Sequence, residues 1–294
     1  MEENVMNKED IKFFLDYDDE VESLAVRIKE YLDNYGTYEN EELIIGNWIE
    51  AWDDSNDEAN KIVSFLVDNK EKFTNLKSIY FGDMDFEECE ISWIINGDLA
   101  PLINNFNIEK FTAKGGTGLS FKNMKSETLK ELIVISGGTS KDTIEEIIEG
   151  ELPNLEKLEL YFGDSNYGFD ANIEDIIPFT KRENFPKLKY LGLKNSEIQD
   201  EICEKVFEGD IIEELEVLDL SLGTLTDKGA KIILDNIGKV SHLKKLDLTY
   251  NYIKEDMLKV LEERLGELDI EYSLSQEDVY FDDDDEYRSP FITE

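Results

Sequence analysis

Short stretches in which apolar and polar residues alternate recur along this chain, and most are followed by a stripe of helical period. Residues 215–234, LEVLDLSLGTLTDKGAKIIL, contain one complete unit. Leu215, Leu218 and Leu220 stand as LxxLxL, and strand alternation sends Leu218 and Leu220 to one side and Val217, Asp219 and Ser221 to the other. Gly223 and Leu225 carry the chain round a turn. From Asp227 the period lengthens, because Ala230, Ile233, Leu234 and Ile237 fall at i, i+3, i+4 and i+7, an apolar stripe that packs back on the strand. A strand and helix of this size cannot close a core alone, so such units must stack.

Units of this kind begin at Leu76, Ile108, Leu129, Leu155, Leu188, Leu215, Leu243 and Leu265, with a mean step of about 27 residues, inside the roughly 20–29 of leucine-rich repeats. The steps from Leu76 and from Leu155 are the longest, which places insertions on their connecting loops. Leu43 and Ile45 form an earlier strand with Asn40 in the leading position. Helical returns are predicted at Leu99, Leu102, Ile103 and Phe106 after an Asp98 cap, at Ile144, Ile147 and Ile148 behind the Asp142/Glu145 capping-box spacing, and at Ile253, Met257, Val260 and Leu261. The predicted fold is an α/β leucine-rich-repeat solenoid, a horseshoe with a parallel sheet on the concave side and helices on the convex side.

Three segments follow. Residues 1–38 read as an N-terminal strand/helix cap, with Ile11 to Leu15 as the strand and Val21, Leu24, Ala25, Ile28 and Leu32 as the helix stripe, stopped by Asn34 and Gly36. Residues 39–272 are the solenoid. Residues 273–294 are an acidic C-terminal tail, expected to be mostly mobile because the Asp282 to Asp285 run can bury nothing, with Tyr287 and Phe291 able to anchor its end.

The chain has 294 residues, 30 Lys plus Arg against 70 Asp plus Glu, and a formal charge of -40. That charge repels nucleic acid and anionic membranes and favours a basic partner, although an acidic convex face serves solubility by itself. Cys89 and Cys203 form neither a disulfide framework nor a metal pair. The start, MEENVMNKED, lacks the apolar region of a signal peptide, and no run reaches the ~20 apolar residues of a membrane span, so the expected location is cytoplasmic.

LTDKGA, Leu225 to Ala230, resembles the ribonuclease-inhibitor-like class of leucine-rich repeats. The phrases GDMDFEECEISWI (Gly82 to Ile94), LGLKNSEIQDEI (Leu191 to Ile202) and LEVLDLSLGTLTDKGA (Leu215 to Ala230) resemble a family of uncharacterised bacterial cytoplasmic leucine-rich-repeat proteins, from about Leu43 to Ile270, with a weaker echo in the closing YRSPFITE. The resemblance implies the fold and adds no activity. In one respect the chain departs from ordinary repeats. Where an Asn or Cys commonly satisfies the turn backbone, eight residues after the leading leucine, only Asn251 fits; Met84, Gly116, Gly137, Gly163, Ser196 and Gly223 hold the other places, which predicts more deformable turns.

Candidate chemistry is sparse. KGGTG (Lys114 to Gly118) and SGGTSK (Ser136 to Lys141) lack phosphate-loop spacing and read as turns. His242 has no Ser or Cys partner in the pattern, so nucleophilic catalysis is unsupported. In EECEISWI, Cys89, Ile91, Trp93 and Ile94 are expected to pack the insertion against the next repeat. Carboxylates recur on one loop edge, at Asp53, Asp54 and Asp57, at Asp83, Asp85, Glu87 and Glu88, and at Asp164 and Asp170. They suit hard cations, which makes a metal-dependent accessory factor or enzyme the alternative reading. The outward strand positions offer two zones instead: Tyr80, Ile133, Tyr161 and Tyr190 as anchors, and Asp219, Asp247 and Asp269 as a carboxylate row. The expected function is therefore a non-enzymatic protein–protein interaction module that holds a protein partner, a basic one fitting best, on its concave face. No catalytic residue, metal or cofactor is predicted.

Overall fold

Alternation along successive strands lines up one inward apolar residue per repeat, and these residues form a ladder. Leu43, Ile79, Phe111, Leu132, Leu158, Leu191, Leu218 and Leu246 are register partners in turn, and all are fully buried. Each contributes roughly 1.5–3 kcal/mol by leaving water, which is what drives stacking. The computed structural model describes residues 6–19, 21–53, 57–277, 279 and 287–294.

Ten strands form one parallel sheet in sequence order: β1 (Lys12–Phe13), β2 (Glu42–Ile45), β3 (Ser78–Phe81), β4 (Lys110–Lys114), β5 (Glu131–Ile135), β6 (Lys157–Gly163), β7 (Tyr190–Ser196), β8 (Val217–Asp219), β9 (Lys245–Asp247) and β10 (Glu271–Ser273). Among the described residues eight helices join them: α1 (Leu24–Tyr35), α2 (Glu58–Asp68), α3 (Ala100–Asn105), α4 (Lys141–Ile148), α5 (Ile173–Ile176), α6 (Gln199–Glu208), α7 (Asp227–Asp235) and α8 (Glu255–Leu265). Between β4 and β5 the connection is too short for a helix, and Phe121 and Met124 fill the core there instead. The arrangement is α/β and solenoid-like, with one sheet face packed on the helices and the other open. None of the described helices is long and apolar enough to cross a membrane.

Local signals set the helix ends. Ser23 accepts from the Val26 amide at the start of α1, and Gly36, at φ 82°, ends it. Asp98 accepts from the Ala100 amide before α3. For α4 the cap is Ser140, which accepts from the Thr143 amide, so the Asp142/Glu145 spacing does not start that helix. At the first edge Phe13 on β1 packs edge-on against Tyr31 of α1, with ring centroids 5.2 Å apart.

Four expectations are corrected. The last strand is not led by Leu265. Glu271 pairs with Lys245, which makes Asp269 the equivalent of Leu243, and Leu265 is the buried last residue of α8. The glycine turns are close-packed rather than loose: a Cβ on Gly163 would stand 1.8 Å from the Gly137 carbonyl oxygen, so glycine permits the turns of adjacent repeats to touch. In the EECEISWI insertion Cys89, Ile91 and Ile94 are buried, but Trp93 is 57% exposed. Finally, Asp282 to Asp285 lie outside the described residues, whereas residues 289–294 run back along the turns and Phe291 stacks on Tyr250 at 4.7 Å; Tyr287 remains exposed.

Candidate functional site

The open sheet face is organised around Lys194 of β7. Its ammonium nitrogen is 2.5 Å from Asp219 Oδ2 on β8 and 3.4 Å from Glu159 Oε1 on β6, and it lies 5.0 Å from the Tyr161 ring centre. A second lysine, Lys157, stands 2.9 Å from Glu159 Oε2 and 4.3 Å from the Tyr190 ring centre. Tyr190 donates its hydroxyl hydrogen to Asp219 Oδ2 at 2.8 Å, and Tyr161 donates to Glu159 Oε1 at 3.2 Å.

Register explains this gathering. Glu159, Gly192 and Asp219 are direct partners across β6, β7 and β8. Gly192 keeps the middle of that row low; a Cβ there would sit 3.1 Å from Glu159 Cγ and 3.2 Å from Tyr190 Cε1. The tyrosine ring and the carboxylate chain can therefore close over β7, with Lys194 two residues further along the same strand.

Burial by itself would raise the Asp219 carboxyl, but the Lys194 ammonium and the Ser221 hydrogen bonds hold it below its ordinary value. Burial by itself would lower Lys194, and the charges of Asp219, Tyr161 and Glu159 raise it instead. Burial pushes Tyr161 up to about 12, and it raises Tyr190 further, helped by Asp219 and Glu159. Lys194, Tyr161 and Tyr190 hold their protons and Asp219 stays ionised at neutral pH, the opposite of an acid–base pair tuned to exchange protons there. Two ammoniums face two carboxylates, so the cluster is a stiff, charge-balanced surface that presents two aromatic rings.

The predicted anchors lie on this face. Tyr80 and Ile133 are half-buried, with Thr112 between them in register, and Tyr161 and Tyr190 flank the lysine cluster. The carboxylate row does not form. Asp219 points to the open face as alternation requires, yet it is only 4% exposed beneath Lys194 and Tyr190. Asp247 is paired with Lys245 at 3.0 Å and accepts from the Thr249 amide. Asp269 is exposed in the bend before β10, off the sheet, because the last repeat has slipped in register. Lys194, Lys157, Glu159 and Gly192 carry the cluster and were not singled out from the sequence. The available signal was opposite charge at outward positions of three consecutive repeats.

On the acidic loop edge the carboxylates serve the loops themselves. Asp83 pairs with Lys12 at 3.0 Å; Asp85 accepts from the Glu87 and Glu88 amides; Asp164 accepts from the Asn166 amide and Asp170 from the Lys141 amide. Asp54 lies outside the described residues. Among the described residues no three His, Cys, Asp or Glu side chains are placed to hold a metal ion. The His242 ring nitrogen Nε2 lies 2.9 Å from the Ile212 carbonyl oxygen.

Fold and face together define a repeat-like α/β array with one open, charge-balanced sheet face. No protein-family model and no curated protein matches the chain. The crystal structure of a Bacteroides fragilis protein, determined as a structural-genomics target, is similar at 36% sequence identity with a TM-score of 0.83, over 92% of this chain and 75% of that one. The chain belongs to the family of that protein.

Proposed function

We propose that this protein is a non-enzymatic leucine-rich-repeat horseshoe that binds a protein partner on the concave, open face of its sheet. The repeat class is supported by the buried ladder from Leu43 to Leu246 and by strands that pair in sequence order. The binding role rests on one observation: Tyr80, Ile133, Tyr161 and Tyr190 stand partly exposed on a face whose core is complete without them. Tyrosine with its hydroxyl already fixed loses little freedom on contact, which suits an anchor. Asp219 and Asp247 are neutralised by lysines, so attraction of a basic partner comes from the overall charge of -40 rather than from a row on the face. The free, buried Cys89 and Cys203 suit a reducing cytoplasm.

Tyr161→Ala is expected to raise the dissociation rate from the partner about thirtyfold, worth roughly 2 kcal/mol, while changing the salt dependence of association little. Surface-based kinetics at two ionic strengths, with a partner recovered by affinity capture, measure both quantities. Wild-type dissociation from Tyr161→Ala and Tyr80→Ala alike would remove the open face from consideration.

A further inference from the structure

Asn195 closes β7 at φ 53°, a left-handed backbone that non-glycine residues seldom adopt, and it is completely buried. Its side-chain amide grips one residue of a distant segment: Oδ1 accepts from the Ile292 amide at 2.8 Å, and Nδ2 donates to the Ile292 carbonyl at 2.6 Å. Equivalent positions in the next two repeats, each seven residues after its leading leucine, are also left-handed: Leu222 at φ 66° and Tyr250 at φ 54°. Both touch the same segment. The Leu222 carbonyl accepts from the Phe291 amide at 2.8 Å, and the Tyr250 ring lies 4.7 Å from that of Phe291.

Contacts continue along the edge in both directions. Tyr252 meets the Ser289 backbone through its hydroxyl at 3.2 Å, and Tyr167 donates to Glu294 Oε1 at 2.5 Å. Between them the Thr293 carbonyl passes so close to Gly137 that a Cβ there would be 2.3 Å away. Residues 289–294 thus lie extended across the turns of β5 to β9, opposite to the chain direction of the array. Little of this segment is core. Only Pro290 is buried, and Phe291 remains 49% exposed. The bonds are directed and mostly to main chain, the manner in which a groove holds a peptide of tolerant sequence.

We propose that this turn edge is a binding groove for an extended peptide of a partner protein, and that residues 289–294 occupy it in cis as a built-in competitor. Its ligand carries an aromatic residue for Tyr250 and, three residues later, a carboxylate for Tyr167, with Asn195 and Leu222 reading the main chain between. Covalent attachment gives the resident segment an effective concentration of order millimolar, so a partner's peptide has to displace it. This groove is separate from the open face and does not depend on the function proposed for that face.

The test uses a chain ending at Tyr287 and a fluorescent peptide, RSPFITE. Saturable binding to the shortened chain is expected, at least tenfold weaker binding to the full chain, and at least fivefold weaker binding of the peptide with its Phe changed to Ala. Because Asn195→Ala can unfold the turn, Tyr250→Ala in the shortened chain is the companion variant, also expected to bind at least fivefold more weakly. A shortened chain that stays folded by circular dichroism but ignores the peptide would overturn the groove. So would equal binding to both chains, or a shortened chain that no longer folds, which would make the segment a structural cap. A full chain that sediments as a dimer and dissociates on adding the peptide would assign the groove to a second copy's segment and overturn the cis arrangement.

Discussion

Lys194→Met is expected to cost roughly 3–5 kcal/mol of stability at neutral pH, because it leaves the buried Asp219 carboxylate without its cation and opens no compensating route to water. Glu159 keeps Lys157 and is hurt less. The pH dependence carries a distinct signature. The Asp219 carboxyl lies below its ordinary value of 3.8 in the folded protein, so its stabilisation is complete above that value and is lost as pH falls through the folded one. Without Lys194, burial dominates and the folded carboxyl is raised instead. Denaturant midpoints of wild type and variant should therefore stand far apart at pH 7 and converge below about pH 4. Lys194→Met combined with Asp219→Asn should recover much of the loss, since neutral partners need no counter-charge. Coincident midpoints of wild type and Lys194→Met at pH 7 would show that the cluster does not tie β6, β7 and β8 together.

Leu218→Ala should destabilise by roughly 2–5 kcal/mol. Leu218 is fully buried, and its register partners Leu191 and Leu246 on either side are fully buried too, so the vacated volume has no flexible edge into which to collapse. Glu216→Ala, two residues away, removes a partly exposed pair with Lys244 and should cost less than about 1 kcal/mol. Urea melts of the two variants separate the inward from the outward positions. Equal midpoints would mean that the register of β8 is wrong.

Most of the array was legible because the LxxLxL spacing records strand alternation directly. Leu76, Ile108, Leu129, Leu155, Leu188, Leu215 and Leu243 each precede an observed strand by two residues. The eighth failed for a physical reason. Leu265, Leu268 and Ile270 imitate the repeat spacing, but Leu265 belongs to the apolar stripe of α8, and the true last strand ends the sheet with Asp269 in place of a leucine. No repeat stacks beyond it, so selection for an apolar leader is relaxed there.

The polar cluster was hidden by the same alternation rule. Outward positions read as solvated, and the rule is blind to what stands beside them on neighbouring strands. Glu159, Lys194 and Asp219 lie far apart in sequence, and only the parallel register joins them. The Tyr161 and Tyr190 anchors were legible as outward aromatics; their fixed hydroxyls were not. The segment 289–294 left one trace, an apolar group after the aspartate run, too short to reveal what it would touch.

Photo-cross-linking tests the central claim most directly. A benzoylphenylalanine at Ile133, half-buried on the open sheet face, should give a single cross-linked partner band, and the same group at Lys231, exposed on α7, should give none. Cross-links to the same partner from Lys231 but not from Ile133 would place binding on the helical side and contradict the account.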